Sequence, residues 1–151
     1  MRFTGQAEIT IDAKSRLAVP SKFRAVLEKA GQAQVWMCIP WPTGALRIYP
    51  ELTFDRLADG LGSTLTPTSD EAELYTTLFG YCERLEADAA GRIRLTKQHL
   101  ELTAMPSEVT VIGSNQYLEV RDRAKWQAET PDRFAQLAAL VNKAASKPAS
   151  P

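Results

Sequence analysis

The chain contains itself twice, and an internal repeat restricts the fold to architectures built from two like units. Asp12, Ala13 and Arg16 recur as Asp88, Ala89 and Arg92, all at an offset of 76 residues. The apolar positions keep that register, with Leu17 matching Ile93 and Val19 matching Leu95. Further on, Gly44-Ala45-Leu46-Arg47-Ile48 resembles Gln116-Tyr117-Leu118-Glu119-Val120 at an offset of 72. Phe54 falls opposite Trp126 at the same offset, so the first copy carries the longer loop. Chance yields Asp-x-x-x-Arg twice easily. It rarely adds apolar alternation in register on both sides.

Each copy reads locally in the same way. A strand runs into a tight turn at Asp12-Ala13-Lys14-Ser15 or Asp88-Ala89-Ala90-Gly91. An aspartate side chain opens such a turn by accepting from backbone N–H groups two residues on. Gly91 tolerates a left-handed backbone, and Ser15 does so less well. A second strand follows, with Leu17 and Val19 on one face and Arg16 on the other. A helix comes next, with Pro20 at its first position, Phe23, Val26, Leu27 and Ala30 as its apolar stripe, and Gly31 as its stop. In the second copy Thr96 caps the helix and Met105-Pro106 ends it. Further strands are expected at 34–39 and 46–49, and at 109–112 and 117–121. Between the copies Thr68 and Glu71 have capping-box spacing. They predict a helix with Leu74, Tyr75, Leu78 and Phe79 on one face, ending at Gly80. A last helix is expected over 131–143, with Phe134, Leu137, Ala138 and Val141 in register, followed by a disordered tail from Ala145.

Chemistry-bearing clusters are scarce. The two cysteines, Cys38 and Cys82, form no CxxC pair and read as buried free thiols. His99 is the only histidine; it stands where the first copy has Phe23 and reads as a partly buried helix residue. Neither a catalytic triad nor a zinc site can be assembled, so no enzyme activity, cofactor or metal is expected. Trp36, Trp41 and Trp126 read as core or interface residues. No apolar run approaches a membrane span or a signal peptide. The expectation is a cytoplasmic protein without a membrane partner.

Charge is balanced overall, with 18 Lys+Arg against 18 Asp+Glu, but it is segregated. From Asp12 to Arg24 four cations (Lys14, Arg16, Lys22, Arg24) face one acid, a net +3. From Asp88 to Lys97, Arg92, Arg94 and Lys97 face Asp88, a net +2. From Asp70 to Asp88 six acids face Arg84, a net −5. Local field, not the total, governs attraction to phosphate. A two-stranded ribbon fits the DNA major groove, where Arg16 would pair with guanine or with phosphate. The same spacing also suits intra-turn ion pairs, Asp12–Arg16 and Asp88–Arg92, that hold the turns. The basic density favours the first copy as the DNA reader, since Ala90 stands where that copy has Lys14.

The run Asp12-Ala13-Lys14-Ser15-Arg16-Leu17-Ala18-Val19-Pro20 with Lys22-Phe23-Arg24 resembles the MraZ family. So do Phe3-Thr4-Gly5, the second motif Asp88…Gly91-Arg92 and the strand end Val111-Ile112-Gly113. The likeness spans roughly residues 1–127. Ser15 stands where the family's first motif has glycine, and the helix opening at Asp70 is more acidic than expected. The resemblance implies an α+β, mainly β fold: tandem AbrB-like swapped-hairpin units in a β-barrel-like arrangement with short flanking helices. Residues 1–66 would be the first repeat, 67–80 a connecting helix, 81–127 the second repeat, and 128–151 a C-terminal helix and tail. It implies a nucleoid-associated, DNA-binding repressor of its own division and cell-wall gene cluster. Promoter direct repeats would be its double-stranded DNA partner, with a ring-shaped homo-oligomer assembling partly near Trp36, Trp41 and Phe54. The expected DNA-contacting residues are Lys14, Arg16, Lys22, Arg24, Arg92 and Arg94, with Asp12, Ser15, Asp88 and Gly91 forming the turns. A β-barrel interaction scaffold without DNA binding is the alternative reading.

Overall fold

The computed structural model describes residues 1–146. The first copy supplies β1 (Gln6–Thr10), β2 (Arg16–Ala18), α1 (Ser21–Lys29), β3 (Val35–Pro40), β4 (Leu46–Pro50) and α2 (Glu51–Asp59). After the connecting α3 (Ser69–Gly80), the same order returns as β5 (Glu83–Glu86), β6 (Arg92–Arg94), α4 (Lys97–Thr103), β7 (Glu108–Ser114), β8 (Tyr117–Asp122) and α5 (Arg123–Ala135). Helix α6 (Leu137–Ala145) ends the described chain. The expected tail lies, from residue 147 on, outside the described residues.

The copies are interleaved. Six strands form one antiparallel sheet in the order β1-β7-β8-β4-β3-β5, and β2 and β6 form a separate two-stranded ribbon. Strand β1 of the first copy pairs with β7 of the second, while β5 of the second pairs with β3 of the first. The order is symmetric about the β8–β4 seam, where Leu46 faces Val120 and Ile48 faces Leu118. This is the swapped-hairpin α+β fold. The sheet stays open, with β1 and β5 at its edges, and does not close into a barrel.

Alternation sets the core. The inner sheet face carries Trp36, Cys38, Leu46, Ile48, Val109, Val111, Leu118 and Val120, all buried. The ribbon lays Leu17 and Ile93 on this face, α1 adds Phe23 and Leu27, and Leu85 and Leu95 complete the cluster. Each such aliphatic side chain contributes about 1.5–3 kcal/mol by leaving water. On the outer sheet face, α2 and α3 form a second, thinner layer, in which Phe54 packs edge-on to Tyr49 at 6.4 Å and to Phe79 at 5.9 Å.

Several local expectations are met, and several are corrected. Thr68 and Glu71 form the reciprocal capping box of α3. Gly31 adopts φ +70, and α1 ends in a Schellman motif, with Gly31 N donating to Glu28 O and Gln32 N to Leu27 O. Pro20 is the N-cap of α1, not its first helical residue, because its extended ψ of 140° belongs to the strand that enters. Helix α4 stops at Ala104 in a left-handed conformation, ahead of Met105-Pro106. Helix α2 was not anticipated. The last helix begins much earlier than residue 131, at Arg123, because Asp122 caps it by accepting from Lys125 N at 3.3 Å. A break at Gln136 then separates α5 from α6. The apolar residues expected in register on this last helix stay in solvent, with Phe134 76% exposed. Trp36 is fully buried against Phe3, so it cannot line an assembly surface; Trp41 and Phe54 remain partly exposed. His99 is completely buried rather than partly so, with Nε2 2.5 Å from the Tyr81 carbonyl.

Candidate nucleic-acid interface

The two turns are near copies in geometry. Asp12 Oδ1 accepts from Lys14 N at 2.9 Å and from Arg16 N at 2.8 Å, and Oδ2 accepts from Arg16 Nε at 2.7 Å. Asp88 accepts from Ala90 N at 3.0 Å, Arg92 N at 3.0 Å and Arg92 Nε at 2.9 Å. Backbone bonds close both loops, Ser15 N to Asp12 O at 3.0 Å and Gly91 N to Asp88 O at 2.9 Å. Ser15 takes φ +61 and Gly91 takes φ +77, so the serine adopts the glycine conformation and the first turn keeps its shape. Both aspartates are held below the usual carboxylate range, first by the backbone N–H of the arginine four residues on.

After each turn the chain does not fold back on the strand that preceded it. Instead β2 pairs with β6, placing Arg16 opposite Arg94, Leu17 opposite Ile93 and Ala18 opposite Arg92. Leu17 N–H and Ile93 N–H thus belong to one ladder drawn from both copies. Leu17 and Ile93 point inward and are buried, which turns Arg16, Arg92 and Arg94 outward together. The intra-turn pairs engage Nε of each arginine, and the side chains remain partly exposed, 25% for Arg16 and 37% for Arg92. The ribbon is flanked by a turn at either end: Leu95 N donates to Ser15 O at 2.8 Å, and Val19 N to Gly91 O at 3.0 Å. Lys14 stands exposed on the first turn, beside the Arg16–Arg94 end.

The remaining candidates are tied into the protein. Lys22 Nζ donates to the Gln6 carbonyl at 2.6 Å and lies 5.1 Å from the Phe23 ring centroid. Arg24 Nε donates to the Val19 carbonyl at 2.9 Å. Sequence reasoning treated the copies as two separate basic turns. It missed that Arg94 of one lies directly across from Arg16 of the other, because the alternation of β2 and β6 shows which face is apolar but not which strand is the neighbour. It also missed Glu119, which is buried on β8 between Arg121 at 2.6 Å and Arg47 at 3.7 Å. Glu119 offsets part of the charge of Arg47 and Arg121 on the outer sheet face. Among the described residues no three His, Cys, Asp or Glu side chains gather into a metal site. No described helix is long and apolar enough to cross a membrane.

Two like charges directly across an antiparallel pair stand about 4.5–5.5 Å apart at Cβ and destabilise the sheet. Asp12 offsets Arg16 in part, and among the described residues no acid is paired with Arg94. An anion laid across the ribbon would relieve that repulsion. The guanidinium groups present planar donor forks suited to phosphate oxygens or to the O6 and N7 edge of guanine.

Comparison with known proteins agrees with this architecture. A family model described as "MraZ protein, putative antitoxin-like" matches residues 78–142. A protein of Mycobacterium sp. (strain KMS) named "Transcriptional regulator MraZ" is 32% identical over 125 residues, covering 83% of this chain and 84% of that one. Proteins of the same name from Marinomonas sp. (strain MWYL1) and Nitrosomonas europaea are each 27% identical, over 134 and 127 residues; the alignments cover 89% of both chains for the first, and 84% of this chain and 85% of the relative for the second. With its paired Asp-x-x-x-Arg turns, its interleaved copies and a 32% identical relative matched along 83% of its length, the chain belongs to the MraZ family.

Proposed function

We propose that this chain is a transcriptional regulator that binds duplex DNA through the outer face of the β2–β6 ribbon and its flanking turns. The observation that carries this reading is the convergence of Arg16, Arg92 and Arg94 on one exposed face of a ribbon whose other face is buried core. Lys14 and Arg94 act as phosphate contacts, and Arg16 reaches a base edge from the end where both copies contribute charge. The relatives' shared name supports a regulatory role.

One ribbon with four cations makes few phosphate contacts, too few for tight binding at physiological salt. Several chains in a closed homo-oligomer, each engaging one of a set of direct repeats upstream of the regulated genes, would raise apparent affinity by roughly 10²–10⁴. Repression follows if such an assembly covers the protein's own promoter.

Mobility-shift titrations over a range of salt, on the native promoter and a scrambled duplex, test the reading. Arg16→Ala is expected to weaken operator binding by about 1–3 kcal/mol and to relax discrimination at one position. Lys14→Ala should weaken both duplexes alike and lower the salt slope by about one. A folded Arg16→Ala/Arg94→Ala variant that binds the promoter as the parent does refutes the assignment.

A further inference from the structure

The two turns are alike in hydrogen bonding but not in what covers them. A Cβ placed on Gly91 would stand 2.7 Å from Arg24 Cδ, 2.8 Å from Nε and 2.9 Å from Cζ. The Cδ, Nε and Cζ atoms of Arg24 therefore fill the space that a side chain at position 91 would need. Arg24 belongs to α1 of the first copy, and Gly91 to the turn of the second. The contact closes a short relay: Gly91 O accepts from Val19 N at 3.0 Å, and Val19 O accepts from Arg24 Nε at 2.9 Å. Arg24 thus holds the residue following β2 by its carbonyl while covering the turn that residue bonds. At the offset of 76 the counterpart of Arg24 is Leu100, which has neither charge nor donor, and the counterpart of Gly91 is Ser15, which carries a Cβ. The first turn is built without the clamp.

We propose that Arg24 is a positioning residue for the DNA-binding surface: it locks the second turn onto the end of β2 and thereby sets where Arg92 stands. The inference rests on the DNA-binding reading above. It reassigns Arg24 from phosphate contact to scaffold, and it makes the second reading turn a joint product of both copies. Two independent facts favour glycine at position 91, its φ of +77 and the Arg24 atoms that occupy a Cβ's space there.

The test compares Arg24→Met and Arg24→Lys with the parent, alone and in an Arg92→Ala background, by promoter binding across salt. Arg24→Met is expected to lower affinity by roughly 5–30-fold, the size of coupling seen between contacting residues. The salt slope should stay unchanged. Arg24→Lys, which keeps the charge but not the planar Nε donor, should not restore affinity. In the Arg92→Ala background the loss should largely vanish. A slope reduced by about one together with rescue by lysine would make Arg24 a phosphate contact and overturn the proposal. A loss of equal size with and without Arg92 would overturn it as well. Amide exchange of the free protein tests the clamp without DNA. Arg24→Met should speed exchange at Val19 and Arg92 while leaving Leu95 and Arg16 at parental rates. Parental exchange at Val19 overturns the clamp. Loss of the clamp in a protein that binds no DNA would confirm the relay and refute only the DNA-binding reading.

Discussion

Exchanging the residues at the left-handed positions of the two turns should have opposite effects on stability. Ser15 holds φ +61, a conformation that costs an L-residue roughly 1–2 kcal/mol. None of the hydrogen bonds that build the first turn involves its hydroxyl. Ser15→Gly removes that strain but adds about 0.4–1 kcal/mol of unfolded-chain entropy. The net is a gain of about 0.5–1 kcal/mol, or roughly 1–4 °C in Tm for a chain of this size. Gly91→Ser incurs the same strain at φ +77, partly offset by the entropy term, and places a Cβ 2.7–2.9 Å from three atoms of Arg24. Arg24 must swing away and release the Val19 carbonyl, a charged hydrogen bond worth about 1.5–3 kcal/mol. The sum is a loss of about 2–4 kcal/mol. Urea denaturation followed by circular dichroism measures both. In an Arg24→Ala background Gly91→Ser should cost only the backbone share, about 1 kcal/mol or less. If it costs the same in both backgrounds, the guanidinium contact is not what excludes a side chain at 91, and the steric argument fails.

Other consequences are open to the same kind of measurement. Both turn aspartates titrate below the ordinary aspartate value of 3.8, so the stability they contribute is complete above that value and is lost as pH falls through the lowered one. An Asp12→Asn/Asp88→Asn variant should therefore show a shallower acid limb in Tm against pH than the parent, and parallel limbs would contradict this. Opposite faces of one ribbon should behave differently. Leu17→Ala, at 1% exposure, is expected to cost about 2–5 kcal/mol in urea denaturation, whereas Arg94→Ala should change stability by no more than about 0.5 kcal/mol while weakening promoter binding. Burial pushes the Cys82 thiol up to about 11 and the fully buried Cys38 thiol further still, so both are protonated at neutral pH. A thiol reagent should label Cys82 slowly and faster as pH rises, and Cys38 only on unfolding; rapid labelling of Cys38 in the native protein would show that the core opens there.

What the sequence made legible was local. Asp12, Asp88 and the Thr68–Glu71 box act on backbone groups within four residues, so spacing alone identifies them. The apolar faces of β2 and β6 were legible for a similar reason, since alternation depends only on the strand itself. Partner choice was not: Leu17 beside Ile93 satisfies the same alternation as a local hairpin would, and the swap is decided by which arrangement buries both copies' apolar faces at once. The stripe of Phe134, Leu137 and Val141 shows a limit of another kind: helical periodicity shows that apolar residues share a face and not that anything covers it, and these stay exposed. The basic residues show the limit most clearly. Lys14, Arg16, Lys22 and Arg24 are equivalent in a charge count, yet Lys14 is free on the turn, Arg16 pairs within it, and Lys22 and Arg24 donate to carbonyls of β1 and of the residue following β2. Net charge over a segment therefore locates a field, while the identity of the contacts depends on which backbone carbonyls the fold brings within reach of each cation. For Arg24 those carbonyls lie at the seam between the copies, where the repeat offset is of no help because its counterpart is a leucine.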